Sequence, residues 1–269
     1  MICFPNCKIN IGLNILNKRD DGFHEIQSVF YPVPIADALE INHFNETTIL
    51  IYGSKIQGDP TSNLIYKAWK LLNANHQIGP VAISLLKKIP SGGGLGGGSA
   101  DGSFMLNLLN DFFQLELSIE KREEYATILG SDCPFFIKNK PSIVTGRGEY
   151  MRPINLDLAG YHLLLVNPKI HISTQEAFQI ITPKNQLEFN PDAIESLNLD
   201  YWKNHLINDF EEPILRKYPE IKVIKDQIKD LGASYTSLSG TGSTYFGLFK
   251  NKPNTVNLFP NCDVWQVQL

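Results

Sequence analysis

The chain has 269 residues and a formal net charge of −4, with 43% hydrophobic and 19% charged residues. This balance is typical of a globular protein and excludes a disordered chain. The small negative charge gives no broad basic field for nucleic acid or anionic lipid. The sequence also contains no apolar run that approaches a membrane span.

The cysteines and the first residues bear on the cellular compartment. Cys3, Cys7, Cys133 and Cys262 lack the Cys-x-x-Cys spacing of zinc sites. The segment 1–8 is too short for a secretory signal, and its charged residue, Lys8, comes too early in the chain. We expect reduced thiols in a cytoplasmic protein, with a disulfide between two of the cysteines as the less common alternative.

The first predicted element is a strand over residues 8–15. Apolar and polar residues alternate there, with Ile9, Ile11, Leu13 and Ile15 on one face and Lys8, Asn10 and Asn14 on the other. This period predicts a half-buried strand, on which Lys8 alone would most simply be a solvated side chain. A turn over residues 18–22 and a returning strand over 23–33 complete a hairpin.

The elements that follow are a mixture of strands and helices. Strands are predicted over 39–41, 47–52, 81–89, 161–166, 234–238 and 244–249, and helices over 63–72, 99–109, 118–129 and 221–231. Their mixture predicts an α+β fold. The composition changes near Arg152-Pro153-Ile154, which places a domain boundary between residues 152 and 153.

The most informative segment is a glycine run between a predicted strand and a predicted helix. Six of the seven residues from Gly92 to Gly98 are glycine. Such a turn brings backbone N–H groups against an anion at the positive end of a helix dipole. A flexible linker is the plain alternative, but the apolar, periodic flanks favour a phosphate cradle.

Three common phosphate-loop patterns fit poorly. A Walker A loop requires Gly-Lys-[Ser/Thr], and Ser99 stands where the lysine should be. Gly92, Gly94 and Gly97 match G-x-G-x-x-G, yet Asp111 and Glu116 do not end a second strand as a Rossmann site requires. The H-R-D and D-F-G strings of protein kinases do not occur in the sequence.

Few other residues carry a chemical signal by themselves. Asp132 lies between small residues and the apolar segment Pro134–Phe136, where it is either a helix cap or an active-site carboxylate. His24 follows Phe23 after the first turn and is either a stacking partner or part of the turn exit. The remaining histidines are scattered, and the sequence offers no His, Asp and Glu cluster for a metal.

The string from Pro90 to Asp101 resembles the ATP loop of the GHMP small-molecule kinases. The segments 8–14 and 19–30, which include Asp-Gly-Phe-His-Glu at 21–25, resemble the N-terminal motif of one member family, the 4-diphosphocytidyl-2-C-methyl-D-erythritol kinases. Homoserine and mevalonate kinases lack that motif. Further similar blocks follow in the family's order at 63–65, 130–136, 146–149 and 239–243, so the resemblance spans nearly the whole chain.

The resemblance implies a two-domain GHMP kinase fold. Residues 1–152 would form a ribosomal protein S5 domain 2-like ATP-binding domain and residues 153–269 a ferredoxin-like domain. The implied reaction is ATP-dependent phosphorylation of the 2-hydroxyl of 4-diphosphocytidyl-2-C-methyl-D-erythritol in the non-mevalonate route to isoprenoids. Mg²⁺ would arrive with ATP, and no permanently bound cofactor is expected. No nucleic-acid or membrane partner is expected, and the oligomeric state is left open.

The resemblance also implies three sets of site residues. Lys8 and Asp132 would act at the reacting hydroxyl. Substrate contacts would come from Asn10, Phe23, His24, Thr174 and Phe178. ATP contacts would come from Pro90, Ser91, Gly92, Gly93, Gly94, Leu95, Gly96, Gly97, Gly98, Ser99 and Ala100, together with Asn63 and Lys87 or its neighbour Lys88. Phe23 stands where the family usually has Tyr, so stacking is kept while a hydroxyl contact is lost.

Two other functions remain open at this point. One is a GHMP kinase with another acceptor, such as mevalonate, homoserine or a sugar. The other is a nucleotide-binding regulator without catalysis, against which the presence of both Lys8 and Asp132 argues.

Overall fold

The computed structural model describes residues 1–54, 59–183 and 189–269, and the chain divides into two compact units. The first unit contains Met1–Cys7, Ile35–Ser91 and Gly96–Lys140, and the second contains Lys8–Pro34, Gly92–Leu95 and Pro141–Leu269. None of the helices in the described ranges has the length and apolar character needed to cross a membrane.

Strands and helices are mixed along the chain, as predicted. In chain order they are β1 (Ile2–Cys3), β2 (Asn6–Lys18), β3 (His24–Ala36), β4 (Ala38–His43), β5 (Thr48–Gly53), α1 (Leu64–His76), β6 (Val81–Lys87), α2 (Gly97–Phe112), α3 (Ile119–Leu129), α4 (Cys133–Lys138), β7 (Ser142–Thr145), β8 (Tyr150–Pro153), β9 (His162–Asn167), α5 (Thr174–Gln179), α6 (Pro191–Glu195), α7 (Leu199–His205), α8 (Glu211–Lys217), α9 (Pro219–Asp230), β10 (Tyr235–Leu238), β11 (Tyr245–Phe249) and β12 (Asp263–Gln268). A short 3₁₀ turn, Pro60–Ser62, precedes α1.

The first unit is one sheet covered by helices. Its strand order is β1-β4-β6-β5, in which β4 is antiparallel to β6 and β5 is parallel to it. The Asn63 side chain accepts the Ile65 N–H at the start of α1, and Ser118 caps α3 in the same way through Lys121. Apolar residues of α1, α2, β4 and β6 form a common core. This core fixes α2 against the strand that precedes it.

The second unit holds two sheets, with strand orders β2-β3-β7-β8 and β10-β11-β9-β12. Strand β9 lies between β11 and β12 and is antiparallel to both. The α9 helix buries Ile221, Ile224 and Ile228, which recur at the spacing of one helical face. These isoleucines join a core that includes Leu13 and Ile15 of β2. Residues from the start and the end of the chain therefore share one interior.

The predicted elements are confirmed to within a few residues. The 63–72 helix extends to His76, and the 99–109 helix runs from Gly97 to Phe112. The sequence did not predict α4 to α8, β1, β7, β8 or β12. The missed helices have five to seven residues, so each presents too few turns for a periodic signal.

Two expectations differ from the structure. The boundary predicted between residues 152 and 153 falls inside the second unit, because β3 pairs with β7 and ties residues 8–34 to the segment after residue 141. As a boundary between family domains it stays a prediction. The polar face of β2 is also not solvated: Lys8, Asn10 and Asn14 are 3%, 1% and 1% exposed. The alternating pattern therefore predicted correctly which residues share a face of β2, but it did not predict that the polar face is buried.

Candidate active site

The glycine run forms a tight turn between β6 and α2. Gly92, Gly94 and Gly96 have φ angles of +72°, +77° and +68°. This left-handed region favours glycine, which has no Cβ. The turn therefore requires glycine at alternate positions, and a flexible linker does not account for the run.

Helix α2 begins with open backbone donors. Gly96 is its N-cap residue, and none of the side chains that the structure describes caps the helix. The first intrahelical bond runs from the Ala100 N–H to the Gly96 carbonyl, 2.8 Å long. The N–H groups of Gly97, Gly98 and Ser99 precede that bond, at the positive end of a sixteen-residue helix. Such a terminus suits a phosphate group.

Residues 93–95 of the turn are held by three hydrogen bonds within the second unit. The Gly93 carbonyl accepts the Thr244 N–H (3.2 Å), the Gly94 carbonyl accepts the Ser239 hydroxyl (2.8 Å) and the Leu95 carbonyl accepts the Lys8 N–H (3.0 Å). The sequence analysis noted the block 239–243 only as a resemblance. Its structural role is to anchor the glycine turn.

Gly94→Ala is expected to lower the free energy of unfolding of the protein by at least about 2 kcal/mol. A Cβ at this position would lie 1.9 Å from the Ser239 carbonyl oxygen, in addition to the positive φ. Gly98→Ala is the matched control, because a Cβ there meets no atom within 4 Å among the described residues and alanine favours a helix. Thermal unfolding of both variants measures the difference. Equal melting temperatures would contradict the assigned geometry of the turn.

Lys8 and Asn10 of β2 form the start of a buried polar network. The Lys8 ammonium donates to Asn10 Oδ1 and lies 4.1 Å from the centre of the Phe30 ring. Asn10 Nδ2 donates to the Ser28 hydroxyl (3.0 Å), which donates to the Gly12 carbonyl (2.6 Å). Both ends of the Asn10 amide are thus engaged, so its oxygen is fixed toward Lys8. A buried ammonium held in this way is pre-organised to stabilise negative charge.

Asp132 occupies the N-cap position of α4 but does not cap it. Its backbone has φ −82° and ψ −13°, and its side chain makes no capping hydrogen bond to the helix. Pro134, Phe135 and Phe136 after it are buried, as the apolar sequence predicted. Burial, with the nearby Asp132 charge, raises the pKa of the Cys133 thiol to about 12, so this cysteine stays neutral. Helix capping is therefore not the function of the Asp132 carboxylate.

Four of the predicted substrate contacts, Phe23, His24, Thr174 and Phe178, fall into two groups of the second unit. The His24 and Phe178 rings stack with centroids 5.0 Å apart and planes at 25°, and Phe210 meets Phe178 edge-on at 5.0 Å. Burial and the Lys18 charge lower the pKa of His24, which favours a neutral ring that both donates and accepts hydrogen bonds. Thr174 is the exposed first residue of α5, four positions before Phe178.

Phe23 is 53% exposed and carries a contact that the sequence analysis missed. The guanidinium of Arg147 lies 4.7 Å from the centre of the Phe23 ring. Arg147 belongs to the block 146–149, which the resemblance singled out without a role. The contact shows that one face of the Phe23 ring supports a planar cation, a geometry that also suits a planar base.

Two predicted ATP contacts have structural partners in the first unit. Asn63 Oδ1 caps α1, which leaves its amide nitrogen for other contacts. The Lys87 side chain is 1% exposed and forms ion pairs with Asp37 and Asp101. A nucleotide contact by the Lys87 ammonium is therefore not supported, and Lys88 is the exposed lysine of the pair. Lys87 is buried because its side chain points from the end of β6 toward α2.

The structure thus brings together several predicted residues within each unit. Lys8 and Asn10 lie with residues 93–95 of the glycine turn, and His24 lies with Phe178. Asp132, Asn63 and Lys87 belong to the first unit. The convergence of Lys8 with Asp132 stays a prediction.

Comparison with known families defines the class of protein. Residues 63–140 match the family model "GHMP kinases N terminal domain", and residues 191–257 match "GHMP kinases C terminal". A crystal structure of homoserine kinase from Cytophaga hutchinsonii shares the fold, with a TM-score of 0.69 and 14% identity over 98% of this chain and 94% of that chain. The chain is a GHMP kinase with an α+β fold, as predicted.

The more similar relatives identify one family within this class. A 4-diphosphocytidyl-2-C-methyl-D-erythritol kinase of Bacteroides fragilis is 49% identical over 93% of this chain and 92% of its own length. That of Parabacteroides distasonis is 44% identical over 100% of both. A crystal structure of a 4-(cytidine 5'-diphospho)-2C-methyl-D-erythritol kinase matches with a TM-score of 0.79 and 30% identity, over 92% of this chain and 90% of that chain. The chain belongs to the 4-diphosphocytidyl-2-C-methyl-D-erythritol kinase family, which confirms the resemblance.

Proposed function

We propose that this chain transfers the γ-phosphoryl group of ATP to the 2-hydroxyl of 4-diphosphocytidyl-2-C-methyl-D-erythritol, giving the 2-phosphate and ADP on the route to isoprenoid precursors. The observation that carries the proposal is the glycine turn that opens α2, with its left-handed glycines and open N–H groups. The names of relatives at 40–49% identity supply the acceptor. Other GHMP kinases match at 13–19% identity, which supports a common fold alone.

ATP binds with its phosphates against the glycine turn and the first turn of α2. Gly97, Gly98 and Ser99 supply backbone N–H groups, and residues 90–96 shape the approach. Mg²⁺ arrives as part of the substrate and keeps several water ligands. Among the described residues, no three His, Cys, Asp or Glu side chains are grouped to hold a metal ion. Phosphate and water oxygens therefore supply most of the Mg²⁺ ligands, with few from the protein, for which the Ser99 hydroxyl is the candidate.

Asp132 and Lys8 act at the acceptor hydroxyl. As the oxygen of the substrate forms its bond to the γ-phosphorus, the bond between that phosphorus and the bridging oxygen breaks and ADP leaves. Asp132 orients the hydroxyl and accepts its proton late in the step, and Lys8 stabilises charge on the incipient alkoxide and the phosphoryl oxygens. Asn10 supports this role because its oxygen fixes the Lys8 ammonium.

The cytosine end of the substrate lies at Phe23, His24 and Phe178. The His24 ring stacks on the Phe178 ring, so this group offers an aromatic surface on which a base can stack. The neutral His24 ring suits hydrogen bonding to the edge of the base. Thr174, one helical turn before Phe178, supplies a hydroxyl to the same group.

Phe23→Ala is expected to raise the KM for the cytidyl substrate by about 5- to 150-fold, since base stacking on an aromatic ring contributes roughly 1–3 kcal/mol. The KM for ATP should change little. Phe44→Ala is the matched control, because Phe44 is 52% exposed and belongs to the first unit. Steady-state kinetics with each substrate varied in turn measure the effect. An unchanged KM for the cytidyl substrate would place the base elsewhere.

Turnover with a panel of acceptors tests the proposed function itself. The purified chain is incubated with Mg·ATP and 4-diphosphocytidyl-2-C-methyl-D-erythritol, mevalonate, homoserine or galactose, and ADP and the phosphorylated product are measured. We expect phosphorylation of the cytidyl substrate at least about 10²-fold faster than of the others, because a site that binds the base rejects acceptors without one. Turnover of another alcohol alone, or ATP binding without any transfer, would overturn the proposal.

We also propose that the protein acts in the cytoplasm. Cys3, Cys7, Cys133 and Cys262 are thiols in the structure, and Cys7 and Cys133 are buried. Free thiols are typical of a reducing compartment. The substrates, ATP and a cytidine diphosphate derivative, belong to the same compartment.

A further inference from the structure

Three buried charged residues of the first unit meet beside the first turns of α2. The Lys87 ammonium donates to Asp37 Oδ2 and to Asp101 Oδ2, the latter at 2.8 Å. All three residues are 1% exposed. Asp37 lies outside the motifs of the sequence, and Asp101 ends the string that resembles the ATP loop.

The cluster joins the two ends of the glycine segment. Asp37 Oδ1 accepts the backbone N–H groups of Lys88 (2.5 Å) and Ile89 (2.8 Å), which lead into the turn. Asp101 lies on α2, which leaves the turn. A Cβ on Gly97 would lie 3.0 Å from the Lys87 nitrogen, so the ammonium lies directly against the first residue of α2. One set of ion pairs thereby fixes both the end of β6 and the start of α2.

The charge of the cluster depends on one proton. Two carboxylates and one ammonium carry a net charge of −1 when all are ionised. Asp101 Oδ1 is buried and has no hydrogen-bond partner among the described residues, so an ionised Asp101 would be stabilised by a donor at Oδ2 alone. Burial, opposed by Lys87 and reinforced by Asp37, raises the pKa of Asp101 to about 7.

Within the described part of the chain, three titratable groups on other elements interact with Asp101. The titratable groups that face it are Lys87 of β6, Asp37 between β3 and β4, and the Cys3 thiol of β1. Burial and the Asp101 charge raise the pKa of Cys3 to about 12, so that thiol stays neutral. Asp101 is therefore the group of the cluster that we expect to exchange a proton near neutral pH.

We propose that Asp37, Lys87 and Asp101 are positioning residues for ATP, and that a proton on Asp101 tunes the charge beneath the phosphate-binding end of α2. With Asp101 protonated the cluster is neutral, and with Asp101 ionised it is negative and opposes the incoming phosphates. By linkage, ATP binding favours proton uptake at Asp101. This inference rests on the proposed binding of ATP at α2.

Asp101→Asn tests the proposal, because it keeps the shape of the side chain and an oxygen for Lys87 while removing the titration. The dissociation constant of ATP is measured calorimetrically for wild type and variant from about pH 6 to about pH 8.5. Across this pH range, we expect the ATP affinity of the wild type to fall by a factor about threefold to tenfold larger than that of the variant. In buffers of different ionisation enthalpy near pH 7, wild type should take up more protons per ATP than the variant does. Titration of ATP itself is common to both proteins and cancels.

Asp111→Asn is the matched control, since Asp111 is the exposed aspartate near the other end of α2. It removes the same charge from the same helix and should follow the wild-type pH profile. Parallel profiles and equal proton uptake for wild type and Asp101→Asn would overturn the inference. Turnover of the cytidyl substrate by wild type is measured in parallel, so that failure of the proposed function is recognised separately.

Discussion

Asp132→Asn is expected to lower kcat for the cytidyl substrate by about 10²- to 10⁴-fold, the range for loss of a group that accepts a proton in the transition state. The amide still fills the space and accepts a hydrogen bond from the hydroxyl, but it does not take the proton. The ATP dissociation constant should remain within about twofold, since a group acting only on the acceptor hydroxyl contributes little to nucleotide binding. Rapid-quench measurement of a single turnover reports the chemical step directly.

The structure separates a loss of kcat at the chemical step from a loss caused by a destabilised helix. Asp132 does not cap α4, so its replacement removes no capping hydrogen bond from that helix. We expect Asp132→Asn to remain folded, which thermal unfolding beside Asp111→Asn, whose turnover should be normal, measures. Turnover of Asp132→Asn near the wild-type rate would remove this carboxylate from the mechanism.

Lys8→Met is expected to lower kcat by about 10²- to 10³-fold, the usual effect of losing one pre-organised group that stabilises transition-state charge. Methionine retains an unbranched side chain beside Phe30, while Asn10 Oδ1 loses its donor. Lys138→Met, at an exposed lysine paired with Glu123, is the control and should leave turnover unchanged. Single-turnover kinetics again measure the effect.

The Lys8→Met, Asp132→Asn double variant adds a test of common action. Two groups that act at one hydroxyl lose their contributions together, so the double variant should be little slower than the slower single variant. If the factor by which kcat falls in the double variant equals the product of the factors in the two single variants, the two residues act independently.

The fold was predictable where a repeated local pattern exists. The capped helices α1 and α3 and the amphipathic α9 were found because apolar residues recur at helical spacing between capping signals. The parallel pairing of β5 with β6 was not predicted, since nothing in either strand specifies its neighbour. The short helices from α4 to α8 depend on tertiary packing more than on their own periodicity.

The candidate site shows the same limit at the level of side chains. Alternation along β2 placed Lys8 and Asn10 on one face, but their burial depends on Phe30, Ser28 and Ser239, which pack there from elsewhere in the chain. The partners of Lys87 are also distant, because Asp37 lies fifty residues earlier. A motif therefore predicted which residues carry chemistry, whereas their electrostatic partners required the fold.

A crystal structure of the protein with a non-hydrolysable ATP analogue and the cytidyl substrate tests the central claim most directly. We predict that the Lys8 ammonium and the Asp132 carboxylate both lie about 2.6–3.2 Å from the 2-hydroxyl oxygen, with the γ-phosphorus in line with that oxygen. A nucleotide bound away from the glycine turn, or a 2-hydroxyl in contact with neither side chain, would contradict the account.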